Sequence, residues 1–289
     1  RCRYKNSNNF IRNSMILGKN YFNGIENDKV YLGSNLIYSK ESDASGYVLD
    51  TYAYPSVAYS LRKLSSSTTN VIRVRRFSDN AEQDFTSVQI TDGTLTTFTG
   101  TSHGYVSTWY DQSGNGNHAT QSTALEQPRI VSNGVVELQN GKPSLYYSGG
   151  SHLNVNSPIS DARSIFMTVK LNFNHYNDSL LGHFTTYDYH GITTSNILDI
   201  YSSNFVKNGG NYVNGVSKNF LTTSLGSSQS LVTMIHTSSS GKIGQISKDR
   251  HYSTRGLRGH LQELIVYSTD QSTNRGAIEN DINNEYTIY

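Results

Sequence analysis

Ser164 to Phe173 reads SIFMTVKLNF, the stretch that restricts the fold of this chain most. Ile165, Met167, Val169, Leu171 and Phe173 fall on one side of an extended backbone, with Thr168, Lys170 and Asn172 on the other. Alternation of period two is strand geometry, and a strand with one apolar face must bury that face against a second layer. QSLVTMIHT (229–237) and GHLQELIVYS (259–268) also read as strands, the latter so continuously apolar that it suits an inner position. In NVIRVRRFSD (70–79), Ile72 and Val74 alternate with Arg73 and Arg75, as in a half-buried strand with its arginines in solvent. Only 35% of residues are hydrophobic, yet there are 21 Tyr and 10 Phe, a balance that suits sheet with polar loops. Polar, Gly- and Ser-rich joints between these strands indicate two packed antiparallel sheets: an all-β, jelly-roll type sandwich.

Two helices are expected beside the sheets. In YPSVAYSLRKLSSS (54–67), Val57, Leu61 and Leu64 are spaced by four and three behind Pro55, which predicts a short amphipathic helix near residue 60. In the closing STDQSTNRGAIENDINNEYTIY, Asp270 or Ser272 would cap a helix whose stripe is Ala277, Ile278, Ile282 and Tyr286. Residues 1 to 46 are Asn-rich and too polar for a core of their own, so they should dock on something else, as an extension of the main domain or as an anchoring and oligomerising segment. Within them NFIRNSMILG is a short apolar run, and KVYLGSNLIYSK predicts a hairpin around Gly33, Ser34 and Asn35.

The remaining composition narrows the function. A net charge of +2 with scattered basic residues gives no electrostatic case for nucleic acid, and no run approaches the length of apolar sequence needed to span a bilayer. Cys2 is the single cysteine, so neither an intrachain disulfide nor a cysteine metal site is available. No apolar signal core follows Arg1, which fits a processed product as well as a protein released by lysis.

STWYDQSGNGNHATQ (107–121) is the most unusual loop. Asp111, Asn115 and Asn117 present hard oxygen donors at spacings compatible with Ca²⁺, which needs further ligands such as Asp79, Asp84 or Asp92. Turn chemistry accounts for the same residues: Gly114 and Gly116 accept positive φ while Asn and Ser side chains bond their own backbone, and this is the preferred reading. The histidines are dispersed; His103, His118, His152, His183, His190, His236, His251 and His260 form no pair of metal-binding spacing.

WYDQSGNGNHATQ, together with AYSLRKL (58–64), VIRVRRFSDN (71–80), GKPSLYYSGGSHL (141–153) and the closing 259–289, resembles concanavalin A-like (laminin G-like) sandwich proteins. Over roughly residues 47 to 289 the chain is most similar to the catalytic-domain family of α-L-arabinofuranosidase B. Related modules occur in virion proteins of phages infecting Bacteroidota and in secreted proteins of those bacteria, and VYLGSNLIYS is similar to segments of such phage structural proteins. The resemblance implies a retaining glycosidase, which needs a nucleophile and an acid/base carboxyl about 5 Å apart. In that family the nucleophile lies in a Gly-Asn-Ala-Glu motif shortly after a His-Tyr-Asn-Asp-like stretch and a vicinal disulfide. Here His175, Tyr176, Asn177 and Asp178 are kept, but the cysteine pair and the Glu motif are missing. Tyr187 falls near the nucleophile position, with Asp188 beside it. Asp188 and Asp178 are the carboxylates that would have to serve. Glu263, alone in an apolar strand, reads as a structural carboxylate held by backbone donors.

A glycan site needs an aromatic platform beside amides and hydroxyls. Trp109 and Tyr110, and Tyr187, Asp188, Tyr189 and His190, fit that description; so does a reading of these tyrosines as half-buried sheet-edge residues. The sequence therefore favours a non-enzymatic virion component, a fibre, appendage or decoration protein. Its expected partners are other virion proteins, copies of itself and a host-surface polysaccharide. The alternative is a secreted or virion-borne glycoside hydrolase of arabinofuranosidase type.

Overall fold

The computed structural model describes residues 46–172, 178–191, 195–252 and 254–289, and the strand segments 21–22, 25–26, 29–32 and 35–39. Backbone contacts divide the chain into two compact units, residues 1–46 and 47–289. In the first, Lys29–Leu32 pairs antiparallel with Asn35–Ser39, which is the expected hairpin. NFIRNSMILG lies outside the described residues, as do Phe173, His175, Tyr176 and Asn177.

The second unit is built on a continuous antiparallel network of 16 strands among the described residues. One arm centres on Arg258–Tyr267, which pairs along one edge with Ser164–Leu171 and shares its other edge between Leu145–Ser148 and Val57–Ser60. Ser230–Ile235 and Gly210–Val213 continue this arm outward. The other arm holds Asn70–Arg76 between Glu82–Thr86 and Gly104–Trp109, and continues through Ala119–Thr120, Leu153–Ala162 and Gly241–Ile246 to Leu181–Gly182. Arg129–Ser132 joins the arms by pairing with a strand of each.

Alternation decides what faces what. Ile165, Met167, Val169, Leu264 and Val266 meet Ile72, Val74, Phe85, Trp109 and Ile243 from the other arm in one buried cluster. The opposite face of the first arm, with Ala58, Phe166, Ile265 and Tyr267, is covered by Ile278, Ile282 and Tyr286 of the C-terminal helix Arg275–Tyr286 and by Val48 and Leu49. Ser164–Leu171 is thus buried on both faces, with only Lys170 partly exposed. Among the described residues no helix is long and apolar enough to cross a membrane.

Four local expectations fail. Val57–Ser60 is a strand, not the start of a helix: all four of its residues are buried, Val57 and Tyr59 in the inter-sheet core and Ala58 against the helix layer. Leu61 and Leu64 belong to the turn that follows, so the helical spacing arose from a strand joined to a loop. The C-terminal helix begins later than expected, after Asn274, because Asp270 bonds Ser272 and Arg163 instead of capping; Ala277 is exposed. Arg75 is buried although it stays on the Tyr105 side of the sheet, because it is covered there by bonds to Gln127, Asn80 and the Ala124 carbonyl. Glu263 is held by side chains, not backbone: Ser60 Oγ donates at 2.9 Å, Arg62 Nε at 2.8 Å and Tyr286 Oη at 3.0 Å.

Candidate functional site

The Asp111 loop is a hydrogen-bonded turn. Asp111 Oδ1 accepts from the N–H groups of Ala58 (2.9 Å) and Ser113 (3.0 Å), and Oδ2 from Ser113 Oγ (2.6 Å) and the Asn117 N–H (3.0 Å). Asn115 donates to the Pro55 and Ser56 carbonyls, and Asn117 bonds the backbone of Ser157 both ways. Gly114 and Gly116 have φ of 90° and 70°. A Ca²⁺ ion would have to displace four donors from the one carboxylate available. Asp79 and Asp84 are paired with Arg76 and Arg73, and Asp92 bonds Thr94. Among the described residues no three His, Cys, Asp or Glu side chains gather as a metal site.

Trp109 is fully buried in the inter-sheet core, so its indole offers no face to a sugar. Tyr110, one residue further on, reaches a polar cleft of about 310 Å³ lined by Thr68, Asn70, Gln112 and His118. Its hydroxyl donates to Asp84 Oδ1 at 2.7 Å, and burial together with that carboxylate pushes the phenol up to about 12.

The FTTYDYHG segment is divided by a turn at Asp188 and Tyr189, where the His190 N–H donates to the Tyr187 carbonyl at 3.2 Å. Tyr189 turns inward, buried among core residues and stacked on His236, and Asp188 is buried as well. Asp188 acts as a loop tie: Oδ1 accepts from Ser203 Oγ at 2.5 Å and Oδ2 from the Lys242 N–H at 2.9 Å. Asp178 is ion-paired with Arg258 at 2.7 Å on the adjacent strand. Tyr187, by contrast, is 47% exposed.

Tyr187 belongs to a larger arrangement. The Tyr201 ring lies 5.8 Å from His190, His190 5.4 Å from Tyr187, and the Arg250 guanidinium 4.0 Å over the Tyr187 ring. Arg250 is also 5.0 Å from Tyr252, and Arg255 lies 3.8 Å over that ring. Six planar groups from three loops thus form one ribbon: Tyr201, His190, Tyr187, Arg250, Tyr252, Arg255. It is fixed from beneath. His190 Nδ1 bonds Asp199 Oδ2 at 2.7 Å, both nearly buried, while Asp249 accepts from Arg250 Nε and Nη2 at 3.0 and 2.9 Å and from Arg255 Nη1 at 3.0 Å. Burial pushes the Asp249 carboxyl up, but the hydrogen bonds from Arg250 and Arg255 and the Arg250 charge outweigh it, leaving the carboxyl below its ordinary range. Ser247 and Arg250 adopt φ of 65° and 51°, a left-handed backbone that needs surrounding contacts to persist in non-glycine residues.

This scaffold is shared. A solved GH54 α-L-arabinofuranosidase, soaked with a cyclic sulfate inhibitor, superposes with a TM-score of 0.50 at 15% identity over 81% of this chain. An arabinofuranosidase complexed with arabinofuranosyl-α-1,2-xylobiose gives 0.50 at 16% identity over the same share. The chain spans 64% of the length of each of these structures, and the likeness establishes a common fold. No family model and no curated protein matches the sequence.

Of the sequence-derived candidates, the structure brings only Tyr187 and His190 into the ribbon. Tyr201, Arg250, Tyr252 and Arg255 escaped the sequence reading because they come from separate loops, the last three from one about 60 residues beyond Tyr187 and His190. The one local signal is the interleaving of basic and aromatic residues in KDRHYSTR (248–255).

Proposed function

We propose that this chain recognises carbohydrate without cleaving it, and that the ribbon from Tyr201 to Arg255 is the recognition surface. The observation that carries the reading is the exposure of Tyr187, Tyr201 and Tyr252 at 47%, 60% and 36% on a support of buried ion pairs. Partly exposed rings, with Tyr187 and Tyr252 each backed by a guanidinium, suit the C–H side of a sugar, and their fixation lowers the ordering entropy that binding would otherwise cost. The carboxylates around the ribbon, Asp188, Asp199 and Asp249, are all buried and held by hydrogen bonds. A retaining mechanism wants one carboxyl raised enough to deliver a proton, whereas Asp249 is lowered. The resemblance to phage structural segments supports a virion setting, with residues 1–46 as anchor, a homo-oligomeric assembly and a host-surface polysaccharide as target. Deletion of residues 1–46 should then abolish particle incorporation, and normal incorporation would refute that setting. The glycan reading is tested on an array with Tyr187→Ala and Tyr110→Ala as paired variants. Loss of signal in Tyr187→Ala alone is expected; loss in Tyr110→Ala alone would move the site to the polar cleft.

The shared fold with arabinofuranosidases favours a second reading, hydrolysis of arabinofuranosides. Release of phenol from an aryl α-L-arabinofuranoside that disappears in Asp188→Asn would establish it and overturn the first.

A further inference from the structure

We infer that the glycan taken by the ribbon is acidic, with the carboxylate of a uronic acid seated on Arg255. This rests on the carbohydrate reading above and adds the class of sugar. Arg250 and Arg255 share Asp249 but not in the same way. Arg250 commits its Nε/Nη2 edge, the side that grips a carboxylate through two parallel bonds, to the two Asp249 oxygens. Arg255 reaches Asp249 through Nη1 alone. Its Nε and Nη2 N–H groups have no protein partner among the described residues, and its side chain is 29% exposed. Two guanidinium groups on one carboxylate leave a unit of positive charge uncompensated, and the edge left open has the planar, two-pronged geometry of a carboxylate receptor.

The distribution of charge points the same way. The acids nearby are beneath the surface, with Asp249 and Asp199 side chains 6% and 1% exposed. The cations lie at the rim. Besides Arg255, Lys207 donates to the Ile200 carbonyl at 2.7 Å, at the corner that carries Tyr201. A ligand approaching the ribbon therefore meets rings flanked by cationic donors at both ends. Arg255 lies 3.8 Å over Tyr252, so a sugar meeting the exposed part of that ring would place a substituent beside the Arg255 edge, and a carboxylate is the substituent that fits two parallel N–H donors. A neutral hydroxyl would leave one donor without a partner.

The test measures binding of the whole chain to polygalacturonate, neutral arabinan and dextran sulfate across a range of salt. The expected result is binding of polygalacturonate in preference to arabinan, weakening with salt. Arg255→Gln should weaken it about tenfold or more, and Arg255→Lys, which keeps the charge but not the fork, several-fold. Arabinan bound as tightly, or unchanged binding in Arg255→Gln, would overturn the acidic assignment while leaving carbohydrate recognition standing. Dextran sulfate preferred, with Arg255→Lys equal to the parent, would show a simple point-charge site and likewise overturn it. If none of the three glycans is bound and the array is also blank, the carbohydrate reading itself falls.

Discussion

Replacing Glu263 should disconnect the C-terminal helix from the sheet that carries it. Glu263 is fully buried and its carboxylate gathers Ser60, Arg62 and Tyr286, so one side chain ties the strand Val57–Ser60, the strand Arg258–Tyr267 and the helix. Removing one partner of a buried pair costs about 3–5 kcal/mol because the other charge stays behind without compensation. Arg62 keeps Asp281 at 2.5 Å and its side chain is 17% exposed, which places Glu263→Ala at the lower end, about 3 kcal/mol. For a unit of this size each kcal/mol moves Tm by roughly 2–4 °C, so the expected fall is roughly 6–12 °C. Urea denaturation followed by far-ultraviolet circular dichroism measures the free energy directly. The paired variant Arg62→Met with Glu263→Leu removes both charges and fills the space, and should recover most of the loss. A change below about 0.5 kcal/mol for Glu263→Ala, the range of ordinary surface substitutions, would refute the idea that this carboxylate holds the helix.

Three further outcomes follow from other parts of the fold. Burial pushes His236 down to about 4, and burial with Lys170 and Arg129 nearby does the same for His260. Both are neutral when folded, so the unfolded chain takes up protons first; their contribution is intact above about 6.5, falls between 6.5 and 4, and should amount to at most about 3 kcal/mol each. Urea midpoints that stay flat over that interval would contradict this. Asp111→Ala leaves four donors without their acceptor and should destabilise by about 2–3 kcal/mol in the same assay, whereas a chelator should leave Tm unchanged; a chelator-dependent drop would mean that a cation holds the loop. Tyr187→Ala should weaken glycan binding roughly tenfold, because a sugar covering about half of the exposed ring removes roughly 50 Å² of apolar surface, worth about 1.3 kcal/mol. An unchanged dissociation constant in isothermal titration would exclude Tyr187 from the contact.

Strands were legible where alternation ran unbroken, as from Ile165 to Leu171, because one repeating choice of side chain reports both faces at once. The sequence misled where the period broke. A register shift at Ser107 carries Trp109 into the core beside Val106, and Arg75 is covered by Gln127 from 52 residues away; no local composition marks either. Val57, Leu61 and Leu64 imitate a helical stripe because a strand and the turn after it happen to bury residues at those intervals. A turn at Asp188 and Tyr189 parts two residues that an extended strand would keep on one face, which is why Tyr187 is exposed and Tyr189 buried. The ribbon was the least legible feature. Its cations and rings meet only after the sandwich has brought the loops at 187–190, 199–203 and 249–255 together, so the spacing between them in the chain carries no information.

The most direct measurement is a titration of the chain, selectively labelled at its tyrosine rings, with arabino- and galacturono-oligosaccharides in turn. Saturable shifts confined to Tyr187, Tyr201 and Tyr252, with Tyr110 and the buried Tyr189 unmoved, are the predicted result. Shifts centred on Tyr110, or none with either sugar, would contradict the assignment of the ribbon as the recognition surface.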